Sequence, residues 1–321
     1  MISRREFLRA ASVAAVPGAA PPAARARVPD EIRLVVPYSP GGSTDLLARI
    51  LAQEMSKRLG NTVTVDYRPG AGSMIGIAHV ARAPADGSAL AIVNSSFVIN
   101  PVLRASTPYR VEDLRPVTQL VDVPFVLLAN LRTPFDTVPE LVDHYRRTDR
   151  AIEFAMPGMG GAAHLGGVLL GRAAGLQVLP IPYKGSPPAH ADVIAGRVPL
   201  LIETLPTAIP QVQAGRMKMI AALGQERIHG LGQYPTVAET FPGFNASTFY
   251  GLAAPAAPPG ETIDEISNAV TDVLLQQENR DRLEKLGLFV HANGPAAFGA
   301  FLAEHAAKWA AIIREQKITV E

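Results

Sequence analysis

Short apolar runs rich in β-branched residues alternate along this chain with segments of helical period, and glycine or proline punctuates most junctions. Ile32 to Pro37 reads as a buried strand, Ser39-Pro40-Gly41-Gly42-Ser43 as a tight loop, and Asp45 to Leu59 as an amphipathic helix. The buried stripe of that helix is Leu47, Ile50, Leu51, Met55 and Leu59, and Gly60 stops it. Val63 to Tyr67 and Leu90 to Asn94 are further strands, with the loop Arg68 to Gly72 and a short helix, Met74 to Arg82, between them. A long strand-like stretch, Val117 to Asn130, follows, after which the same grammar restarts. Helices are predicted over Val138 to Arg147, His164 to Ala174, Ala189 to Ala195 and Ile209 to Ala214. Strands are predicted over Ile152 to Ala155, Val178 to Tyr183, Val198 to Glu203 and Met217 to Leu223. Gly230 to Gly243 is an irregular loop and Thr248 to Ala254 a last strand. Two helices close the chain, one with a capping box at Thr262 and Glu265, the other burying Phe298, Phe301, Leu302, His305, Trp309 and Ile312. The pattern predicts an α/β fold with two sheets.

Composition narrows the chemistry. In 321 residues, 30 Lys+Arg balance 29 Asp+Glu, so no basic surface suggests nucleic acid and any charge recognition is local. The absence of cysteine removes disulfides, thiolate metal sites and thiol catalysis. The seven histidines are scattered singly, and no G-x-S-x-G, P-loop or H-E-x-x-H motif occurs, so no metal and no hydrolase constellation is expected. The first residues, Ser3-Arg4-Arg5-Glu6-Phe7-Leu8-Arg9, lead into an alanine-rich stretch and the small-x-small triplet Ala24-Arg25-Ala26. This is the order of a twin-arginine export signal, residues 1–26, cleaved after Ala26 and leaving a periplasmic protein.

Two loops repeat one device, a strand running into glycines that open a helix. Such a helix start offers free backbone N–H groups and the positive end of the macrodipole, and glycine lets a ligand approach closely. In the first loop Ser39, Ser43 and Thr44 add hydroxyls around Gly41 and Gly42, with Tyr38 before them and Asp45 after. The second, Pro157-Gly158-Met159-Gly160-Gly161-Ala162-Ala163-His164, has no hydroxyl, so amides would carry any binding there. Tyr183 and Lys184, at one strand end, and Glu203, at another, stand where a ligand-facing group would belong. A rival reading is enzymatic: Gly158-x-Gly160-x-x-Ala163 fits a dinucleotide fingerprint, which would make the protein an exported NAD(P)-dependent oxidoreductase. Lys184 follows the next strand where an acid should end it, which suits at best a 2′-phosphate.

Several stretches together resemble one family. Ile32-Arg33-Leu34-Val35-Val36-Pro37-Tyr38-Ser39-Pro40-Gly41-Gly42-Ser43-Thr44-Asp45, Arg68-Pro69-Gly70-Ala71-Gly72, His164-Leu165, Pro182-Tyr183-Lys184-Gly185, Pro235-Thr236-Val237-Ala238-Glu239 and Tyr250-Gly251-Leu252-Ala253-Ala254-Pro255 look like the Bug family. These are the extracytoplasmic solute receptors of tripartite tricarboxylate transporters. The resemblance implies a hinged, two-lobed periplasmic binding protein of the Venus flytrap type, each lobe a mainly parallel sheet with crossover strands. It implies no catalysis and no cofactor, a small organic acid as ligand, the transporter's membrane subunits as transient partners, a sensor protein as a further partner, and a monomer. Lobe I is expected over residues 27–120 plus 224–321 and lobe II over residues 121–223. The expected ligand-contacting set is the two loops with Ser95, Ser96, Tyr183, Lys184, Glu203, Phe249 and Tyr250. Where family members carry hydroxyls before the histidine, this chain has Gly161, Ala162 and Ala163, and Glu203-Thr204 replaces a frequent Asp-Asn pair. With Met159, Phe97, Phe249 and Tyr250 near the cleft, these departures point to an acid less polar than citrate, aromatic or aliphatic.

Overall fold

A computed structural model describes residues 28–257 and 260–318. The leader and its cleavage site lie outside the described residues. The strands are β1 (Glu31–Val36), β2 (Thr62–Tyr67), β3 (Ala89–Val93), β4 (Leu114–Asn130), β5 (Ile152–Pro157), β6 (Val178–Tyr183), β7 (Leu200–Thr204), β8 (Met217–Ala222), β9 (Ser247–Pro255) and β10 (Phe289–Asn293). The helices are α1 (Ser43–Leu59), α2 (Met74–Ala81), α3 (Ser95–Leu103), α4 (Val138–Thr148), α5 (Ala162–Ala174), α6 (Ser186–Ile194), α7 (Leu205–Gln213), α8 (Val237–Thr240), α9 (Gly260–Leu275), α10 (Gln277–Lys285) and α11 (Pro295–Glu315).

The fold is α/β in two lobes. In the first, strands run in the order β2-β1-β3-β9-β4 with β10 on the far side of β4; in the second, β6-β5-β7-β4 with β8 beyond. β1, β2 and β3 are parallel, and β9 is antiparallel to both β3 and β4. β5, β6 and β7 are parallel, and β4 is antiparallel to β7 and β8. Direction therefore reverses mainly at the long strands that travel between lobes. The 17 residues of β4 serve both sheets: its partner is β9 as far as Pro124, and β7 from Phe125 onward. Beside this passage Leu223 N–H donates to the Phe125 carbonyl (2.9 Å) and Ala246 N–H to that of Leu223 (2.8 Å). Three strand ends are thus stitched at the waist.

Each sheet is covered on both faces, which explains the nearly continuous apolar runs of β3 and β7. α1 and α9 bury Leu47, Leu51, Ile263 and Val270 against one face of the first sheet, while α2, α3 and the start of α11 cover the other with Ile77, Phe97 and Phe298. α11 then crosses to the second lobe, where Trp309 and Ile313 join the core of Phe154 and Leu165.

Some expectations are corrected. The segment Ser95–Leu103 is a helix that β-branched residues and Pro101 conceal, and Asn94 caps it by accepting from Ser96 N–H. Three helices and the strand β10, rather than two helices, close the chain. α9 begins at Gly260, so Thr262 lies inside it and is buried rather than capping it. Phe97 packs at 5.7 Å on Tyr109, and Phe249 packs on Phe298, Phe301 and His305, so neither faces the cleft.

Candidate functional site

Five helices begin at one place. The residues preceding α1, α3, α5, α6 and α7, namely Gly42, Asn94, Gly161, Gly185 and Thr204, all line a single cavity between the lobes. Each follows a strand, so the parallel strands of both sheets aim their carboxyl ends, and the positive ends of the next helices, at the same point. Gly42 and Gly161 carry no side-chain cap, so the first-turn amides of α1 and α5 are left for a ligand. The cavity measures ≈ 40 Å³, and among the described residues no lysine or arginine lines it.

The lobes are closed on each other around it. Ser43 Oγ lies 2.8 Å from Thr204 Oγ1 and 2.6 Å from Tyr250 Oη. Ser39 Oγ donates to the Lys184 carbonyl at 3.0 Å. Closure demands glycine where backbones meet. A Cβ on Gly72 would stand 2.3 Å from the Met159 carbonyl oxygen, and one on Gly161 would stand 2.6 Å from Ser96 Oγ.

Of the residues singled out by sequence, Tyr38, Ser39, Gly42, Ser43, Thr44, Ser96, Gly161, Ala162, Glu203 and Tyr250 line the cavity. The others are placed around it. Asp45 turns back under its own loop, accepting from Gly41 N–H (2.8 Å), Tyr67 Oη (2.5 Å) and Arg49 Nε (2.7 Å). Burial alone would raise its pKa, but those three hydrogen bonds and the Arg49 charge hold it below the ordinary carboxylate value. Gly41 packs toward Pro187 rather than the cavity. Ser95 bonds Thr248 and His305 instead. Gly158, Met159 and Gly160 form the rim against lobe I, where a Cβ on Gly160 would meet Asn100 Oδ1 at 2.8 Å. Tyr183 donates to Asp192 at 2.6 Å, and Lys184 is exposed, contributing its carbonyl. His164 is buried beneath the second loop; desolvation, then the charge of Arg104, lowers its pKa to about 4, so it is neutral. Phe249 lines a different hollow at the waist.

Sequence reasoning missed Asn94, Phe125, Pro157, Ala163, Gly185, Ser186, Thr204 and Thr248 as lining residues. Asn94 carried a signal, a capping asparagine at a strand end before two serines. Phe125 carried none, because it sits in the middle of one long apolar run. Tyr250 is buried and its hydroxyl pKa is pushed up to about 12, first by desolvation, so it remains a neutral hydrogen-bonding group.

Glu203 stands apart as an acid in this wall. It is fully buried, with Oε1 accepting from Thr204 N–H (2.7 Å) and Thr204 Oγ1 (2.9 Å), and Oε2 lying 3.1 Å from His190 Nε2. Burial raises its pKa, yet His190, the Thr204 amide and the Ser186 hydroxyl together bring it below the ordinary value. Among the described residues no cluster of His, Asp or Glu could hold a metal ion, and no helix is long and apolar enough to cross a membrane.

Known proteins share this architecture. The chain is 33% identical over 288 residues to protein BugT of Bordetella pertussis, covering 88% of each. The solved structure of R. palustris Rpa4515 with adipate superposes with a TM-score of 0.87 at 28% identity, covering 90% of this chain and 98% of that one. MatC from Rhodopseudomonas palustris with bound malate gives 0.83 at 27% identity, covering 88% and 98%. Residues 47–318 match the model of the tripartite tricarboxylate transporter family receptor, TctC, and the chain belongs to that family of solute-binding receptors.

Proposed function

We propose that this receptor is exported by the twin-arginine route, captures a small organic acid between its lobes in the periplasm, and hands it to the membrane subunits of a tripartite tricarboxylate-type transporter. The observation that carries this reading is the convergence of five helix starts, two of them uncapped, on a closed interlobe cavity that lacks any cationic side chain among the described residues. An acid there is held by amides and dipoles rather than by salt bridges. Residues 27–120 with 224–321 form one lobe and residues 121–223 the other, with the hinge where β4 changes partner at Pro124 and Phe125. Loop one receives a carboxylate and lobe II swings in to add loop two, so closure is driven by the contacts that only the closed state makes. The family and its adipate- and malate-bound members support a binding role rather than catalysis. The fingerprint Gly158-x-Gly160-x-x-Ala163 is wedged against lobe I by Asn100 and Ser96, which leaves no room for a dinucleotide in this closed arrangement.

The test is a thermal-shift panel on residues 27–321 with mono-, di- and tricarboxylates, aromatic acids, acidic amino acids and NADP. A ligand at 100 times its Kd adds about 2.7 kcal/mol, a plainly visible shift. Stabilisation by one class of acid is expected; stabilisation by NADP alone would overturn the receptor reading. Fractionation tests export, with a processed periplasmic protein as the expected result.

A further inference from the structure

The wall of the cavity already contains a carboxylate. Glu203 Oε1 takes the Thr204 amide and hydroxyl, its other oxygen takes His190, and Ser186 donates to it as well. Those donors are what the starts of α6 and α7 have to offer, because their first turns hold Pro187, Pro188 and Pro206, which lack an N–H. His190 does not reach the cavity itself; it lines the groove beside Pro187 and Arg216. The α6–α7 side of the cavity is therefore a filled anion site. Opposite it, the first-turn amides of α1 and α5 have no side-chain cap. Between the two lie the apolar atoms of Phe125, Pro157, Ala162 and Ala163.

We propose that Glu203 acts as a built-in second carboxylate that makes this receptor selective for monocarboxylates, excluding acids that carry another ionised group at the far end. The inference rests on the carboxylate-receptor reading and sharpens it. A ligand carboxylate docks on α1 and α5, and its other end meets a buried acid whose donors are all engaged. A neutral aliphatic or hydroxyl-bearing end is accepted there, since a hydroxyl can donate to Glu203. A second carboxylate finds no donor and a like charge, as Glu203 cannot leave its buried seat without stranding Thr204 and His190.

The test is calorimetric titration of the intact protein with matched pairs, propionate with succinate, lactate with malate, and benzoate with phthalate, on wild type, Glu203→Gln and Glu203→Ala. Two unit charges about 8 Å apart at an effective dielectric near 20 disfavour the second carboxylate by roughly 30-fold. Wild type is expected to prefer the monoacid of its best pair by at least about that factor. Glu203→Gln, a neutral isostere, should shrink the preference about tenfold, and Glu203→Ala, which frees the Thr204 and Ser186 donors, should bring the diacid level or ahead. Circular dichroism verifies that each variant is folded, and the wild-type ratio alone decides the matter if neither is. A wild-type protein that binds diacids as tightly as monoacids overturns the inference while leaving the receptor reading intact. So does an unchanged ratio in folded variants. Binding of no acid of either kind defeats both.

Discussion

Replacing Gly72 by alanine separates closure from folding. Gly72 has φ 61° and ψ 42°, and a Cβ there would lie 2.3 Å from the Met159 carbonyl oxygen of the facing lobe. Two penalties follow, and they fall on different states. The left-handed backbone costs alanine about 1–2 kcal/mol whether the lobes are open or closed, so it appears as lost stability. The overlap exists only when the lobes meet, and both atoms concerned are anchored, one directly on backbone and the other a backbone oxygen. Ordinary contact begins at 3.4 Å, so the lobes must stay about 1 Å apart. Overpacking of this kind costs about 1–3 kcal/mol, which charged to the closed state alone weakens binding about 5- to 150-fold. Gly60→Ala is the control, because Gly60 also has positive φ (71°) but nothing within 4 Å of its Cβ position. It should lose similar stability and keep full affinity. Calorimetry with the best acid from the thermal-shift panel reads affinity, thermal melts read stability, and small-angle scattering reads closure. Wild-type affinity in Gly72→Ala, or an equal loss in Gly60→Ala, would refute the claim that these surfaces must meet for binding.

Three further outcomes are expected. Tyr250→Phe removes the hydroxyl 2.6 Å from Ser43 at the buried seam, and should cost about 1 kcal/mol in urea unfolding while weakening acid binding severalfold by calorimetry. Asp45→Ala strands the Gly41 amide and the Tyr67 hydroxyl, so stability should fall by about 1–3 kcal/mol, with Asp45→Asn recovering part of it. His164 and His305 both have pKa values lowered to about 4, chiefly by burial and then by the nearby charges of Arg104 and Lys308, respectively. Their folded values lie below the unfolded value near 6.5, so the unfolded chain takes up protons that the folded one refuses. Stability is complete above about pH 6.5 and falls toward pH 4 by up to about 3 kcal/mol for each histidine, which urea titrations across that range measure; His305→Gln should flatten the slope.

The two anion-ready loops are legible in the chain because they are local. A β-branched run, glycines and a helical stripe within about thirty residues specify strand, loop and helix start without reference to anything distant, and Gly42 and Gly161 stand at those starts. The same locality explains why Val178–Tyr183 is read to the residue, while α3, hidden by Phe97, Val98, Ile99 and Pro101, is not. Side-chain direction is another matter. Phe249, Met159 and Asp45 belong to the right segments, yet one is sealed in an aromatic cluster, one meets lobe I through its carbonyl, and one braces its own loop. Neighbours in sequence cannot reveal which way they turn, because packing across β9 and α11, or the choice of Tyr67 and Arg49 as partners, is set by tertiary contacts rather than by the local run. Asn94, Ser186 and Thr204 become cavity residues only when five strand ends from two sheets are brought to one point. The amino-acid sequence by itself determined which segments can offer amides to an anion. Tertiary structure decided that two of those helix starts remain open and that Glu203 occupies the flank of two others, since burial and partners, unlike periodicity, are properties of residues distant in the chain.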